Sequence, residues 1–326
     1  MTVHEGKTSA ASPNRVPALW VALGAASLSV SAVLITLADV SAPTAAFYRC
    51  ALALIPLAPF VLRDVLRHGF PELPVVGMAL LGGSFLGIDY LMWNVSIADV
   101  GAGIATVLVN MQVVLFPLVM WAVAGVRPAR RFVAAIPILL VGVALAGGVV
   151  GPGPAGGNAV RGTLLSLAAA LAYSGYLYFG QRCGVRAPRH FATPVFLATA
   201  AAAVMSGVVG TATSGIAFDL GPESWLCLAL VALFGQAIGW LLVGYGLPRL
   251  APALSSTLLL LQPIGAALLG AVVLDEVPTA TQLAGCAAVL VTVWVTALGG
   301  SRAAARRRAR KPEAAREEAV QESSCG

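Results

Sequence analysis

Charge is what this sequence has least of. Charged residues are 10% of the chain, where a water-soluble domain carries roughly 25%. With 59% hydrophobic residues and a mean hydropathy of +0.88, the 326-residue chain cannot cover a soluble surface, so most of that surface must face lipid. Histidine is limited to His4, His68 and His190, with no HExxH. No GxxxxGK[ST] occurs, so nothing points to ATP hydrolysis. The five cysteines, Cys50, Cys183, Cys227, Cys286 and Cys325, make no CxxC or other ligand spacing and read as small buried residues. No cofactor or metal is expected. Without a His, Cys or paired-carboxylate cluster at one depth, a membrane-embedded enzyme is disfavoured. Lysine is confined to Lys7 and Lys311, and the Ala-, Gly- and Arg-rich usage suggests a GC-rich bacterial genome and hence a cell membrane.

What the chain has instead is a series of apolar runs, each near the roughly 20 residues a spanning helix needs. Ten are predicted, at about 17–38, 41–62, 75–97, 101–124, 132–150, 162–181, 191–213, 224–246, 251–274 and 279–299. The first has no secretory signal before it and reads as a retained span behind a cytoplasmic tail, residues 1–16. Turn signals separate the runs, most clearly Gly151-Pro152-Gly153-Pro154-Ala155-Gly156-Gly157, which divides them five and five. The expected organisation is a first five-helix repeat at 17–150, an outer linker at 151–161, a second repeat at 162–300 and a basic, disordered cytoplasmic tail at 301–326.

The net charge of +6 does not indicate nucleic acid, because the basic residues follow a membrane pattern. With the N-terminus in the cytoplasm, all but two of the 20 Lys and Arg residues fall in the tails and cytoplasmic loops. The exceptions are Arg161 in an outer loop and Arg49 inside a span. Asp39, Asp99, Asp219, Glu223, Asp275 and Glu276 occupy the outer loops. A miscounted span would invert every later loop and spoil this alternation. Because five is odd, two like halves must enter the membrane from opposite sides, as an inverted repeat. A shift of 150 positions sets Gln112 on Gln262 and Pro128 on Pro278. The fold class predicted is all-α and integral to the membrane, ten transmembrane helices as two inverted five-helix repeats around a central cavity.

Polar side chains in hydrocarbon are costly and should face a cavity or a partner. Arg49 in the second span and Asp89 in the third both lie roughly 12 Å from the outer end at 1.5 Å per residue. They are predicted to lie near each other or to face one polar cavity. Arg49 would bind an anionic group while Asp89 gates or takes a proton, or the two would form a fixed ion pair. Gln112 and Gln262 both fall near the midplane, about 16 Å in, and are candidates for the floor of a central site or for packing between helices. Asn110, Tyr173, Tyr176, Gln236 and Trp240 lie at comparable depths and complete the candidate solute-binding set. Gly83–Gly87 and Gly235–Gly239 are GxxxG runs at matching places in the two halves, and prolines such as Pro117 and Pro263 interrupt spans.

The stretch Leu261-Gln262-Pro263-Ile264-Gly265, with Asp275-Glu276-Val277-Pro278 and Gly285 after it, resembles the EamA type of the drug/metabolite transporter superfamily. Pro263, Glu276 and Gly285 occupy the family's second-half pattern, and Arg49 resembles the arginine often seen in its second helix. The resemblance covers about 17–300. The first half departs from it, with Val113 where the proline is expected and Gly125-Val126-Arg127 in place of the acidic helix end. The resemblance implies a basket of ten helices around a central cavity with the fifth and tenth peripheral, and export or exchange of amino acids, related metabolites or drugs. The expected function is therefore a secondary transporter, an exporter of a small metabolite such as an amino acid or a drug-like compound, working by alternating access. The partners expected are the lipid bilayer and a small-molecule substrate. Protons are candidates through Asp89, and peripheral helices leave a homodimer open. The competing reading is a non-transporting membrane scaffold or assembly protein of the same fold, with its midplane polar residues buried pairwise and no wet cavity.

Overall fold

A computed structural model describes residues 15–125, 130–149, 157–246, 249–250 and 252–295, and their regular structure is helical throughout. The helices are α1 (Arg15–Ala38), α2 (Ala42–His68), α3 (Leu73–Val100), α4 (Ala102–Val109), α5 (Gln112–Ala124), α6 (Arg130–Ala146), α7 (Ala159–Arg186), α8 (Ala192–Ala212) and α9 (Pro222–Leu230). A π-helical stretch, Val231–Ile238, joins α9 to α10 (Gly239–Gly246), and α11 (Pro252–Leu259) and α12 (Leu261–Val273) follow. The last described helix is α13 (Ala280–Val295). Seven stretches are long and apolar enough to cross a membrane, with α4–α5 and α9–α10 each counted as one, and Val133–Ala146, Thr257–Val273 and Ala280–Val295 are shorter apolar helices. Nearly all of the predicted N-terminal tail, most of the predicted linker and the predicted C-terminal tail lie outside the described residues.

Local chemistry sets the boundaries. Ser41 caps α2, its Oγ accepting from the Thr44 N–H at 3.4 Å, and Pro43 stands in the first turn, where no N–H is needed. Asn158 caps α7 by accepting from the Arg161 N–H at 2.9 Å. Gly101 alone separates α3 from α4, and its φ of +90° is open to a residue without a Cβ.

Two spans predicted as continuous are broken. In the second half, Pro263 has no N–H for the Leu259 carbonyl, and the helix restarts at Leu261. In the first half Val113 stands at that place, yet α4 still ends at Val109. There the Asn110 side-chain amide donates to the Thr106 carbonyl at 2.7 Å, while the Asn110 and Met111 backbones turn through tightened bonds to Val107 and Leu108. The correspondence extends along the chain. α2 and α8 begin at Ala42 and Ala192, 150 positions apart, and α5 and α12 at Gln112 and Leu261, 149 apart.

The halves pack into one body. α3 lies along α7 and α8, α2 along α8, and α1 along the π-helical stretch, α10 and α12. Gly83 and Gly87 bring α3 onto α8, where an added methyl group at Gly87 would sit 2.9 Å from the Ala202 carbonyl and one at Gly83 2.6 Å from the Ala198 Cα. Gly235 and Gly239 do the same for the π-helical stretch against Ser31 and Leu28 of α1. Both GxxxG runs are thus seams between the halves. Lipid offers no hydrophobic drive for helix association, so such close backbone approach supplies the packing.

Each end of the bundle carries a polar clamp between the halves. At the near end, where α1 begins, Asp64 of α2 accepts from the backbone N–H groups of Ala192 (3.2 Å) and Thr193 (3.1 Å) and from the Thr193 hydroxyl (2.9 Å). At the far end, Arg161 of α7 grips Asp99 of α3 through two bonds of 2.8 and 2.7 Å, and Glu276 meets the start of α4.

Candidate functional site

Buried polar groups gather where α2, α3, α4 and α7 meet the π-helical stretch, α10 and α12. Arg49 of α2 is 4% exposed. Its Nη2 donates to the Gly235 carbonyl at 3.0 Å and its Nε to Gln236 Oε1 at 3.3 Å. Both acceptors belong to the π-helical stretch, whose Phe234 carbonyl accepts both from the Gly239 N–H and from Ser27 Oγ at 2.8 Å. The guanidinium lies over the Tyr90 ring at 3.8 Å and is 5.3 Å from the Trp93 ring centre. Tyr90 donates its hydroxyl to Gln236 Oε1 at 2.6 Å, and Gln236 Nε2 donates to Thr199 Oγ1 at 3.3 Å. Every part of the guanidinium is thus engaged except Nη1, which is buried and has no partner.

Beyond Nη1 lies a cavity lined by Arg49, Asp89, Tyr90, Trp93, Thr106, Asn110 and their neighbours from both halves, including Gln112, Tyr173, Trp240 and Gln262. It leaves about 50 Å³ for the centres of water molecules. One water needs about 10–15 Å³ on that measure, so the space holds a few waters or one small polar group. Asp89 Oδ1, Gln112 Oε1, Trp93 Nε1 and Trp240 Nε1 are buried without a partner, like Arg49 Nη1. A buried orphan costs about 1–3 kcal/mol, and more when charged. All five of these atoms belong to residues that line the one cavity. Arg49 and Asp89 share this cavity but make no ion pair; the described ion pairs are His68–Asp64 and Arg161–Asp99.

The structure therefore brings seven of the nine residues singled out from sequence to one wall: Arg49, Asp89, Asn110, Gln112, Tyr173, Trp240 and Gln262. Two stand off it. Gln236 is 1% exposed and sits behind Arg49, holding the guanidinium rather than facing the cavity. Tyr176 packs on Tyr173 and Trp240 and faces a different space, described below. Sequence reasoning missed Tyr90, Trp93 and Thr106. A signal existed for Trp93, one helical turn beyond Asp89, and for Thr106, one turn before Asn110. Among the described residues no cluster of His, Cys, Asp or Glu could hold a metal ion. The described cysteines are free, with Cys50 and Cys183 buried.

An apolar multi-helix body around a small, buried polar cavity defines a multi-pass membrane protein of the transporter type. The EamA-like transporter family profile matches residues 15–148 and again 160–298. The chain belongs to that family. A solved structure described only as "Crystal structure of protein" is similar in fold, with a TM-score of 0.58 at 18% identity, covering 88% of this chain and 97% of that one. No curated protein matches the sequence.

Proposed function

We propose that the protein is a secondary carrier that exports a small metabolite, such as an amino acid or a drug-like compound, by alternating access across the cell membrane. The observation that carries this reading is the set of open polar valences around one cavity: Arg49 Nη1 as donor, Asp89 Oδ1 and Gln112 Oε1 as acceptors. A solute offering both an anionic and a donor group would fill them. Asp89 is also the group placed to take a proton when no cationic guest neutralises it.

The offsets of 150 positions from Ala42 to Ala192 and 149 from Gln112 to Leu261 support two repeats, 17–150 and 162–300, of five spans each and opposite orientation, joined through the outer linker 151–161. The near end carries Arg63, Arg67, Arg182, Arg186, Arg189 and Arg249, and the far end Asp39, Asp99, Asp219, Glu223, Asp275 and Glu276. By the positive-inside rule the near end is cytoplasmic, with both termini on that side. The cavity is far below the about 300–1,000 Å³ of ordinary ligand pockets. Polar clamps tie the halves at both ends, and the solute enters when one of them opens.

The test is transport of radiolabelled amino acids and of a drug panel into proteoliposomes. Gln112→Ala and Gln262→Ala are expected to abolish uptake while leaving folded yield intact. Uptake that survives both substitutions would place the solute elsewhere.

A further inference from the structure

A second chamber adjoins the polar cavity on its near-end side. It has a volume of about 430 Å³ and is lined mainly by apolar groups of α3, α7, α8 and α10, among them Tyr176, Gly180, Gly184, Phe191 and Trp240. Trp240 lines both spaces. Tyr173 faces the polar cavity and Tyr176 the apolar chamber. The three rings pack together, with centroids 5.7 Å apart for Tyr173–Tyr176, 5.9 Å for Tyr173–Trp240 and 6.1 Å for Tyr176–Trp240. These packed rings thus border both volumes, with Trp240 common to the two linings.

The key ring is poorly tethered. Trp240 Nε1 is buried and donates to nothing. Trp240 is also the second residue after the π-helical stretch Val231–Ile238. At 3.6 residues per turn, drawing one residue out of that stretch turns everything beyond it by about 100°. The sizes differ in a useful way as well. The polar cavity accepts only a head group, whereas 430 Å³ lies within the range of ordinary ligand pockets.

We infer that Trp240, with Tyr173 and Tyr176, is a movable septum between two stations of one pathway, a polar one for the charged head of the solute and an apolar one for its hydrophobic or aromatic part. This rests on the carrier reading for its purpose, though not for its geometry. Solutes with an apolar side group are then favoured over small polar ones.

The test is thiol labelling, which needs no transported solute. The full chain, its five cysteines replaced by alanine, receives Thr106→Cys in the polar cavity. Reaction with aminoethyl methanethiosulfonate supplied from the near end is expected to speed up at least tenfold on Trp240→Ala, or on Trp240→Leu should the alanine variant fail to fold. Gly180 lines the chamber and has nothing within 4 Å of where a Cβ would stand, so Gly180→Phe sets a ring at its wall and narrows it. It should cancel the acceleration. In a second arm, Gly184→Cys should react at least fivefold faster with the benzyl reagent than with the hydroxyethyl one, after correction for their rates on a free thiol. Gly180→Phe should erase that preference. Labelling of Thr106→Cys indifferent to Trp240, or a benzyl preference that survives Gly180→Phe and so reflects membrane partitioning, overturns the inference. Loss of transport with the labelling pattern intact would sink the carrier reading alone.

Discussion

Glu276, in the loop after α12, closes the amino end of α4: its Oε1 accepts from the Ala102 N–H at 2.6 Å and its Oε2 from the Gly103 N–H at 3.2 Å. A carboxylate of the second half thus supplies the cap that a helix of the first half lacks, since Gly101 has no side chain to do so. Replacing a cap costs about 0.5–2 kcal/mol. Glu276→Ala is expected to lower the melting temperature of the detergent-solubilised protein by a few degrees, and Glu276→Gln by less, because the amide oxygen still accepts. Equal melting curves for the three proteins would show that water caps α4 just as well.

The near-end clamp offers the reciprocal case. Asp64 satisfies two backbone N–H groups and one hydroxyl at the start of α8. Asp64→Ala should raise hydrogen exchange at Ala192 and Thr193 by about tenfold, the exchange equivalent of a cap worth about 1.4 kcal/mol. Exchange at the far-end α4 should stay as it was.

Arg49 is held by a planar fork, which lysine cannot reproduce. Arg49→Lys keeps the charge but loses the bonds to the Gly235 carbonyl and Gln236 together with the stacking on Tyr90. A hydrogen bond to a charged group contributes about 1.5–3 kcal/mol. The melting temperature of the detergent-solubilised protein should therefore fall, and solute uptake in proteoliposomes should drop as the cation loses its fixed position. An Arg49→Lys protein that transports normally would mean that any cation suffices there.

Glycines of α3 should divide by what faces them. At Gly83 a methyl group meets the Ala198 backbone, whereas at Gly77 it meets nothing. Gly83→Ala is expected to cost about 1–3 kcal/mol through overpacking and to reduce the folded peak in size-exclusion chromatography. Gly77→Ala should be neutral or stabilise by up to about 1 kcal/mol through helix propensity. Indistinguishable yields would show that α3 and α8 shift apart without cost.

Much of this protein was legible from composition because the bilayer allows so few solutions. Backbone polar groups have no water to bond in hydrocarbon, so apolar runs of spanning length become helices. The same expense of buried charge picked out Arg49 and Asp89 without any structure. Depth, a matter of counting residues, then placed Gln112 and Gln262 at one level. What counting cannot supply is the direction in which a side chain points. Gln236 and Tyr176 share the depth of the cavity but face away from it, because the neighbouring π-helical stretch and aromatic rings fix their azimuth.

The sequence by itself determined the membrane setting and the two residues whose charge demanded a partner, since both follow from the cost of polarity in lipid; the family followed from the resemblance carried by Gln262, Pro263, Glu276 and Gly285. Only the tertiary structure decided that Arg49 and Asp89 face one cavity without an ion pair, that Asn110 breaks its span as Pro263 breaks the equivalent one, and that Trp240 stands between two chambers. The shared cavity and the place of Trp240 depend on helices from both halves meeting at set rotations. Packing of small residues such as Gly83 and Gly235 fixes those rotations, and no local pattern records them.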